Sequence, residues 1–317
     1  MFYLHLIHYI GFIGAQIFNS ILALLIVKRA GKLFGAYRHV MLFFTLCTMW
    51  FSWVEIVTQP LMYTKGSMMV VFLDHYHFSK TLGALIISVH CGSFAFLISV
   101  FAAQFFYRYC VLCGLKILKF LEGNRVFLIF TPCFAVFLFF IALVFWGGES
   151  TEEKLEYLKD GLEQIFYLDA DSVSFIALYY WQTGFDGEKV WNVKDLLTCA
   201  ICVVIICIVS WMILFFAFKI YKHMTKSSAH LSQKTLELNR QLFIMLTVQT
   251  IVPFVLMYIP IGFILGFPLF SLSLGEFVNY GSASIALYPM IEPLVAMFCI
   301  SDFRKVIRSD KSIGGIH

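Results

Sequence analysis

The chain has 317 residues, of which 61% are hydrophobic and 13% are charged, against roughly 25% charged residues in an average soluble domain. This composition excludes an ordinary soluble protein and makes the lipid bilayer a partner. The net charge of +4 comes from basic residues dispersed among loops, so we expect no nucleic-acid partner.

Seven apolar segments fill the chain, each close to the roughly 20 residues that a helix needs to cross the hydrocarbon layer. The predicted fold class is therefore an all-α membrane protein, a seven-transmembrane helix bundle formed by residues 1–300. We predict its helices at Ile10–Val27, Val40–Thr58, Leu82–Phe106, Val126–Trp146, Leu196–Phe218, Leu242–Phe263 and Phe277–Ile300. Within these segments only Glu55 and Glu292 carry a formal charge.

The basic residues indicate the orientation of the bundle. Loops one, three and five and the tail together hold 17 Lys and Arg residues, against six in the other loops. Since basic loops are retained in the cytosol, we predict an extracellular N-terminus and a cytoplasmic C-terminus. No basic residue precedes the first segment and no small-residue cleavage site ends it, so we expect an uncleaved anchor.

The nine cysteines indicate no disulfide between the long fourth loop and the third segment, because none of them lies in that loop. Cys110 and Cys113 fall at the cytoplasmic end of the third segment. Either palmitoylation or burial as small hydrophobic side chains accounts for this pair.

The fourth loop, residues 147–195, is long and acidic, with eleven Asp and Glu residues and four lysines. Its Leu155, Leu158, Leu162 and Ile165 recur at helical spacing after a possible cap at Thr151, which predicts an amphipathic helix. The helix either closes a ligand cavity as a lid, or belongs to a loop that is simply acidic and solvated. The pattern does not separate these two interpretations.

A ligand site is predicted in the outer half of the bundle, where ionisable groups inside a membrane are functional candidates. His90 lies eight residues into the third segment, roughly 12 Å deep at 1.5 Å per residue. A mostly apolar cavity with a few polar contacts is typical of a small-molecule site. The candidate ligand-binding residues are Glu55, His90, Phe94, Tyr258, Tyr280 and Ser284. Each of them alone is also explained by an ordinary hydrogen bond between helices.

A bending point is predicted around Glu292, which lies too deep for a ligand that enters from outside. Pro289 and Pro293 flank it, and the sixth segment contains Pro253 and Pro260. Each proline removes a backbone hydrogen bond, so both helices are expected to kink and to allow two packings.

The short tail, residues 301–317, is predicted to be cytoplasmic and to begin with an amphipathic helix. Phe303, Val306 and Ile307 share one face and the basic residues of 302–308 share the other. Such a helix lies on the inner leaflet, and the basic fifth loop is expected to contact acidic lipid or an acidic partner protein as well.

Several motifs, taken in their order and spacing, resemble those of the nematode seven-transmembrane chemoreceptors of serpentine receptor class r, the Str family. The resemblance covers nearly the whole chain and is densest in the last third. The motifs are Gly35-Ala36-Tyr37-Arg38, Phe106-Tyr107-Arg108-Tyr109, Gln241-Leu242-Phe243, Gln249-Thr250 with Pro253, Tyr258-Ile259-Pro260, Tyr288-Pro289 with Pro293, and Phe303-Arg304.

The resemblance implies a G-protein-coupled receptor for environmental chemicals, at the plasma membrane of sensory neurons and their cilia, that signals to a heterotrimeric G protein without a cofactor. It also implies a set of coupling and activation residues, with Arg108 facing the G protein. The set is Tyr107, Arg108, Tyr109, Tyr288, Pro289, Glu292, Pro293 and Arg304. Two positions depart from the family pattern, since Glu292 stands where Asp is usual and Phe303 where Tyr is usual.

Other functions fit the sequence less well. A seven-helix ligand-gated channel of the insect odorant-receptor type places its N-terminus in the cytosol, and a transporter more often shows internal repeats. No enzyme is expected. A zinc hydrolase needs converging ligands, and His75 and His77 with Asp74 have no second cluster facing them, so we predict no metal site.

Overall fold

The computed structural model describes residues 2–30, 35–74, 78–121, 123–169, 172–184, 186–227 and 233–305. Within them, seven helices are long and apolar enough to cross a membrane, which confirms the predicted seven-helix fold. The seven spans are Tyr3–Lys28, Tyr37–Thr58, Lys80–Cys113, Arg125–Gly147, Val193–Thr225, Glu237–Phe270 and Glu276–Cys299. Below, the amino face is the end of the bundle where the first span begins, and the carboxyl face is the end where the seventh span ends.

Two predictions concern residues beyond the described part of the chain. His75 and His77 of the rejected metal site lie outside it. So do Val306 and Ile307 of the predicted tail helix, of which the structure describes only the beginning, up to Lys305.

The third span is the most deeply buried of the seven. Its helix begins after Ser79, whose Oγ accepts a hydrogen bond from the Leu82 N–H at 3.4 Å, and it ends before Gly114, which has a φ of +60°. These two caps make it longer at both ends than the apolar pattern alone predicts. It contacts the second, fourth and fifth spans and forms the centre of the bundle.

The first and seventh spans approach each other closely because glycines line the contact. A Cβ on Gly11 would collide with the backbone oxygen of Ala286, and one on Gly14 would collide with the Met290 side chain. Small residues of this kind let membrane helices pack backbone to backbone.

Several spans change their helical hydrogen-bonding pattern along their length. The sixth span changes most, because Pro253 ends its first regular part and a π-helical turn follows. The α-helical parts of the spans are Phe2–Leu25, Tyr37–Thr58, Lys80–Cys113, Thr131–Gly147, Val193–Ser227, Gln233–Pro253, Ile259–Gly266 and Asn279–Cys299. The π-helical turns are Ile26–Ala30 and Phe254–Tyr258; a short α-helix, Ile117–Phe120, and the 3-10 turns Gly123–Phe130, Phe267–Phe270 and Glu276–Val278 complete the helices.

The loops at the amino face form strands, which the sequence interpretation did not include. β1 (Leu61–Lys65) and β2 (Met68–Leu73) make a hairpin, and β3 (Ser174–Tyr179) pairs with β2, so that three antiparallel strands run in the order β1-β2-β3. We call this three-stranded sheet the roof sheet. β4 (Trp181–Thr183) and β5 (Lys189–Trp191) form a second, small hairpin.

The roof sheet is covered on both faces. Its side chains alternate, as in any strand: Met69 and Val71 of β2 pack toward the bundle, whereas Val70 and Phe72 pack toward a helix above them. That helix, Glu152–Ile165, is the predicted amphipathic helix of the acidic loop, and we call it the cap helix. Thr151 caps its N-terminus as predicted, and its Leu158 and Leu162 are fully buried against the sheet.

Candidate functional site

A cavity of about 110 Å³ lies beneath the roof sheet, between it and the third to seventh spans. A single buried water takes roughly 10–15 Å³ on this scale, so the cavity has room for a small molecule. Its wall is almost wholly apolar, with His90 and Thr198 as the polar exceptions. The apolar wall includes Met62, Met69, Val71, Phe94, Phe140, Val144, Ile176, Leu178, Cys202, Ile206, Ile261, Ile264, Leu265 and Ile285.

Two of the predicted ligand-binding residues line this cavity, and a third packs against one of them. His90 and Phe94 line it, one helical turn apart on the third span. Tyr258 of the sixth span packs edge-on against Phe94, with ring centroids 6.3 Å apart, and lines a groove that adjoins the cavity.

Glu55 contacts the cavity residue His90 from the second span. Its Oε2 lies 3.2 Å from His90 Nδ1, and Thr58 Oγ1 lies 3.3 Å from the same nitrogen. The contact between Glu55 and His90 does not have the geometry of a hydrogen bond, so both Glu55 oxygens lack a hydrogen-bond partner among the described residues. His8 of the first span is buried as well, and its Nδ1 likewise lacks a partner there. Unsatisfied buried acceptors of this kind favour a guest or a water that donates a hydrogen bond.

The structure does not bring the other two predicted ligand residues to the cavity. Tyr280 is 72% exposed on the surface of the seventh span and stacks on Phe277. The Ser284 hydroxyl instead donates to the Leu256 carbonyl of the sixth span, and it lies equally close, at 2.7 Å, to the Gly281 carbonyl of its own helix. The Leu256 carbonyl lies four residues before Pro260, so it lacks the N–H that a regular α-helix supplies four residues later. Ser284 therefore satisfies the sixth span where Pro260 interrupts it.

The roof sheet is fixed to the bundle by a buried ion pair. The Lys154 ammonium lies 2.7 Å from Asp195 Oδ2 and donates hydrogen bonds to the carbonyls of Ala177 (2.8 Å) and Glu149 (3.1 Å). Asp195 also accepts the Tyr179 N–H at 2.6 Å. Burial lowers the pKa of Lys154, and the Asp195 carboxylate only partly offsets that effect. The pair joins the cap helix, β3 and the start of the fifth span.

Hydrogen bonds also tie the roof to the sixth and seventh spans. The Met62 N–H of β1 donates to Asn279 Oδ1 at 2.9 Å. Tyr180, directly after β3, donates its hydroxyl proton to the Leu265 carbonyl at 3.0 Å. The roof is therefore an integral part of the amino face.

At the carboxyl face, Arg108 bridges the third span to the second and sixth. Its Nη2 donates a 2.6 Å hydrogen bond to Asn239 Oδ1, and its guanidinium lies 5.6 Å from the Tyr37 ring centroid. Tyr107 stacks on the same Tyr37 ring, at 6.0 Å, and Tyr109 packs against the fifth span. The predicted coupling motif is thus at the end of the bundle opposite the cavity.

The predicted seventh-span residues form a buried polar contact with the sixth span. Gln249 donates a hydrogen bond to Glu292 Oε1, and Tyr288 is buried beside them. Pro293 deprives the Pro289 carbonyl of its helical partner, four residues back. Asn19 of the first span replaces it, since its Nδ2 donates to the Pro289 carbonyl at 2.9 Å.

The remaining predicted residue, Arg304, is exposed just after the seventh span. Its neighbour Phe303 is fully buried in the main hydrophobic cluster. A phenylalanine without a hydroxyl fits such an apolar site, which gives this departure from the family pattern a physical reason.

Asn19, Asn239 and the Lys154–Asp195 pair were missed by the sequence interpretation. Asn19 lies in an apolar segment but carries no charge, so it does not stand out as an ionisable residue does. Lys154 and Asp195 fell in a loop crowded with charges, where nothing in the pattern distinguishes a buried pair from solvated ones.

The profile of the family described as serpentine type 7TM GPCR chemoreceptor Str matches residues 4–308 of the chain. The chain is 26% identical over 292 residues to serpentine receptor class r-10 of Caenorhabditis briggsae, covering 91% of this chain and 84% of that protein. It is 25% identical over 290 residues to serpentine receptor class r-10 of Caenorhabditis elegans, covering 91% and 85%. It is also 26% identical over 299 residues to the G-protein coupled receptor str-33 of Caenorhabditis elegans, covering 93% and 86%.

The chain therefore belongs to the Str family of serpentine chemoreceptors, and the predicted resemblance is confirmed. It is a multi-pass membrane protein with a chemosensory GPCR role, in a family of receptors rather than enzymes.

Proposed function

We propose that this Str-family chain is a plasma-membrane receptor that detects a small, mostly apolar chemical and signals to a heterotrimeric G protein. The observation that carries the proposal is the apolar cavity beneath the roof sheet, which has the composition of a small-molecule site. Family membership extends the proposal to a sensory-neuron cilium.

The ligand binds in this cavity mainly through burial of its apolar surface against residues such as Phe94 and Ile206. His90 offers the ligand one polar contact at the cavity wall. Glu55, which does not line the cavity, contacts the His90 imidazole from the second span. A ligand with an apolar body and a single hydrogen-bonding group matches these walls.

The G protein binds at the carboxyl face, where Arg108 and Tyr109 lie and where the fifth and sixth spans carry the exposed basic residues Lys219, Lys222 and Arg240. A ligand shifts a receptor toward its active packing only if it binds that packing better. The π-helical turn Phe254–Tyr258 after Pro253 gives the sixth span a place to bend, and a change there separates Asn239 from Arg108. Arg108 is then free to meet the G protein.

The proposed orientation places the amino face outside the cell and the carboxyl face in the cytosol. The 17 basic residues of loops one, three, five and the tail support it, against six in the other loops. An epitope tag at each terminus of the receptor in intact cells tests it. An amino-terminal tag that antibodies reach only after permeabilisation contradicts this orientation.

A heterologous calcium or cAMP assay against a panel of volatile chemicals tests the ligand proposal. Once an agonist is found, Cys202→Phe, which fills the cavity, is expected to raise its half-maximal concentration by about tenfold or more. Val204→Phe is the matched control, because Val204 is exposed on the same span and does not line the cavity. Equal responses of both variants contradict ligand binding in this cavity.

The variant Arg108→Ala tests coupling at the other end. We expect it to abolish signalling while surface expression stays normal, since a G protein contact is lost and the cavity is untouched. Lys119→Ala, at an exposed lysine of the same face, is the control. Unchanged signalling by Arg108→Ala refutes the role of this arginine.

A further inference from the structure

The roof leaves the cavity no open path toward the amino face among the described residues. The bundle-facing side chains Met62, Met69, Val71, Ile176 and Leu178 are all at most 9% exposed, and the cap helix covers the opposite face of the sheet. A guest that enters from above must break the backbone ladder of the sheet or the ties described above.

A side groove with a volume of about 340 Å³ lies between the fifth and sixth spans, at the height of the cavity. Val203 and Cys207 of the fifth span are exposed along it, and Gly262 is exposed on the sixth. A Cβ built on Gly262 or Gly266 would meet nothing within 4 Å. The two glycines therefore leave this part of the sixth span without side chains, on a surface that faces the hydrocarbon layer.

The side groove and the cavity share a wall. Phe94, Ile206, Ile261 and Leu265 line both of them. Of these four, only Phe94 is buried; the others are partly exposed. Rotamer changes of such side chains take far less time than unfolding of a sheet, so the shared wall is the easier barrier to cross.

We propose that the ligand reaches the cavity from within the bilayer, through the side groove between the fifth and sixth spans. The ligand class that this route selects is small, uncharged and lipid-partitioning, because an apolar molecule concentrates in the hydrocarbon layer and a charged one is excluded from it. This inference rests on the proposed function in one respect: the molecule that binds in the cavity is the ligand that activates the receptor.

The test uses a photoreactive probe, trifluoromethyl phenyl diazirine, on the full-length chain in phosphatidylcholine vesicles. The probe is mixed with the vesicles, and a single light flash follows after a variable delay. Light expels dinitrogen from the diazirine, and the resulting carbene inserts into a nearby C–H bond. Mass spectrometry then quantifies the label on the buried roof residues Met69 and Leu178 and on the exposed Val204.

Gly262→Phe, which fills the side groove, is compared with Gly262→Ala, which changes the helix backbone equally but leaves the groove open. We expect Gly262→Phe to lengthen the delay for half-maximal roof labelling by about tenfold or more. The final amount of roof label stays the same, since a higher barrier slows binding and release alike. Labelling of Val204 is unchanged. Cys207→Trp, on the opposite wall, replaces Gly262→Phe if that variant does not fold.

Three results overturn the proposal. One is an equal delay in Gly262→Phe and Gly262→Ala. Another is roof labelling at the same rate by a trimethylammonium diazirine, which stays in water. The third is label on the groove residues without any label on the roof, which assigns the groove to bilayer lipid. None of these measurements uses a G protein, so their failure leaves the receptor assignment standing, and a receptor that does not signal leaves the access route standing.

Discussion

The two faces of the bundle are held together in different ways. At the amino face, a three-stranded backbone ladder, a buried Lys154–Asp195 pair and hydrogen bonds to the sixth and seventh spans fix one arrangement. At the carboxyl face, the described polar contacts between spans go through side chains, such as the hydrogen bond from Arg108 to Asn239 and the two from Ser301 to Gln241. The difference shows where the molecule resists change and where a modest free energy repacks it.

Prolines strengthen this contrast, because they remove backbone hydrogen bonds from the sixth and seventh spans. Side chains from neighbouring helices replace the lost partners at Leu256 and at Pro289. A carbonyl satisfied by another helix is released when that helix moves. A carbonyl that bonds to an N–H of its own helix keeps this partner when a neighbouring helix moves.

The largest effect is expected from Lys154→Met, which leaves the buried Asp195 carboxylate without its cation. Removing one partner of a buried pair costs about 3–5 kcal/mol, so the unfolding temperature in detergent should fall. A thiol-reactive dye follows unfolding, because most of the cysteines are wholly or partly buried.

Two variants sharpen this first comparison. Lys194→Gln removes the exposed pair with Glu149, whose side chains are 33% and 63% exposed, and should cost less than about 1 kcal/mol. Adding Asp195→Asn to Lys154→Met removes the unpaired charge and should recover part of the loss. Equal effects of Lys154→Met and Lys194→Gln would show that the amino face does not depend on the buried pair.

An intermediate effect is expected from Asn239→Leu, which releases Arg108 at the carboxyl face. A hydrogen bond to a charged group contributes about 1.5–3 kcal/mol, which corresponds to tenfold or more in the balance between two packings. We expect higher signalling without ligand, measured as basal calcium or cAMP, and little change in unfolding temperature. Thr247→Val on the same helix is the control, because the Thr247 hydroxyl donates to the Phe243 carbonyl of its own helix. Basal signalling of Asn239→Leu at the level of this control would count against the bridge as a restraint.

The smallest effect is expected from Asn19→Leu, which removes the donor to the Pro289 carbonyl. Hydrogen bonds between membrane helices average about 0.6 kcal/mol and reach about 1.7 kcal/mol. The loss should shrink when Pro293→Ala is present, because an alanine at that position would restore the helical N–H for that carbonyl. A double-mutant cycle of unfolding free energies measures this coupling. A coupling of zero would mean that Asn19 does not replace the bond that Pro293 removes.

The sequence predicts the seven spans well because lipid imposes one rule on all of them, an apolar helix of sufficient length. The roof sheet was not predicted from the sequence, because both of its faces are buried and β1 and β2 therefore show no apolar–polar alternation. A local signal was nevertheless present. Gly66-Ser67 separates the two short apolar strands, and such a pair is typical of a hairpin turn; Gly66 has the required positive φ of 55°.

The site was predictable in depth but not in direction. His90 and Phe94 both line the cavity, and their i,i+4 spacing puts them on one face of the third span. Tyr280 lies on the exposed side of its span because the rotation of a helix depends on its neighbours, which a single apolar segment does not reveal. Asn239 follows the fifth loop, and only the folded bundle brings its amide to Arg108.

The second and third spans contact each other through polar side chains at two levels, one near each end. Glu55 meets His90 near the cavity, and Tyr37 meets Arg108 at the opposite end. Within each helix the two contact residues are five turns of 3.6 residues apart, so they share a face and are separated by about 27 Å. Twisting the third helix about its own axis therefore disturbs both contacts together. A helix that rotates as a rigid body carries this rotation from one side of the membrane to the other, and its own backbone hydrogen bonds stay unchanged.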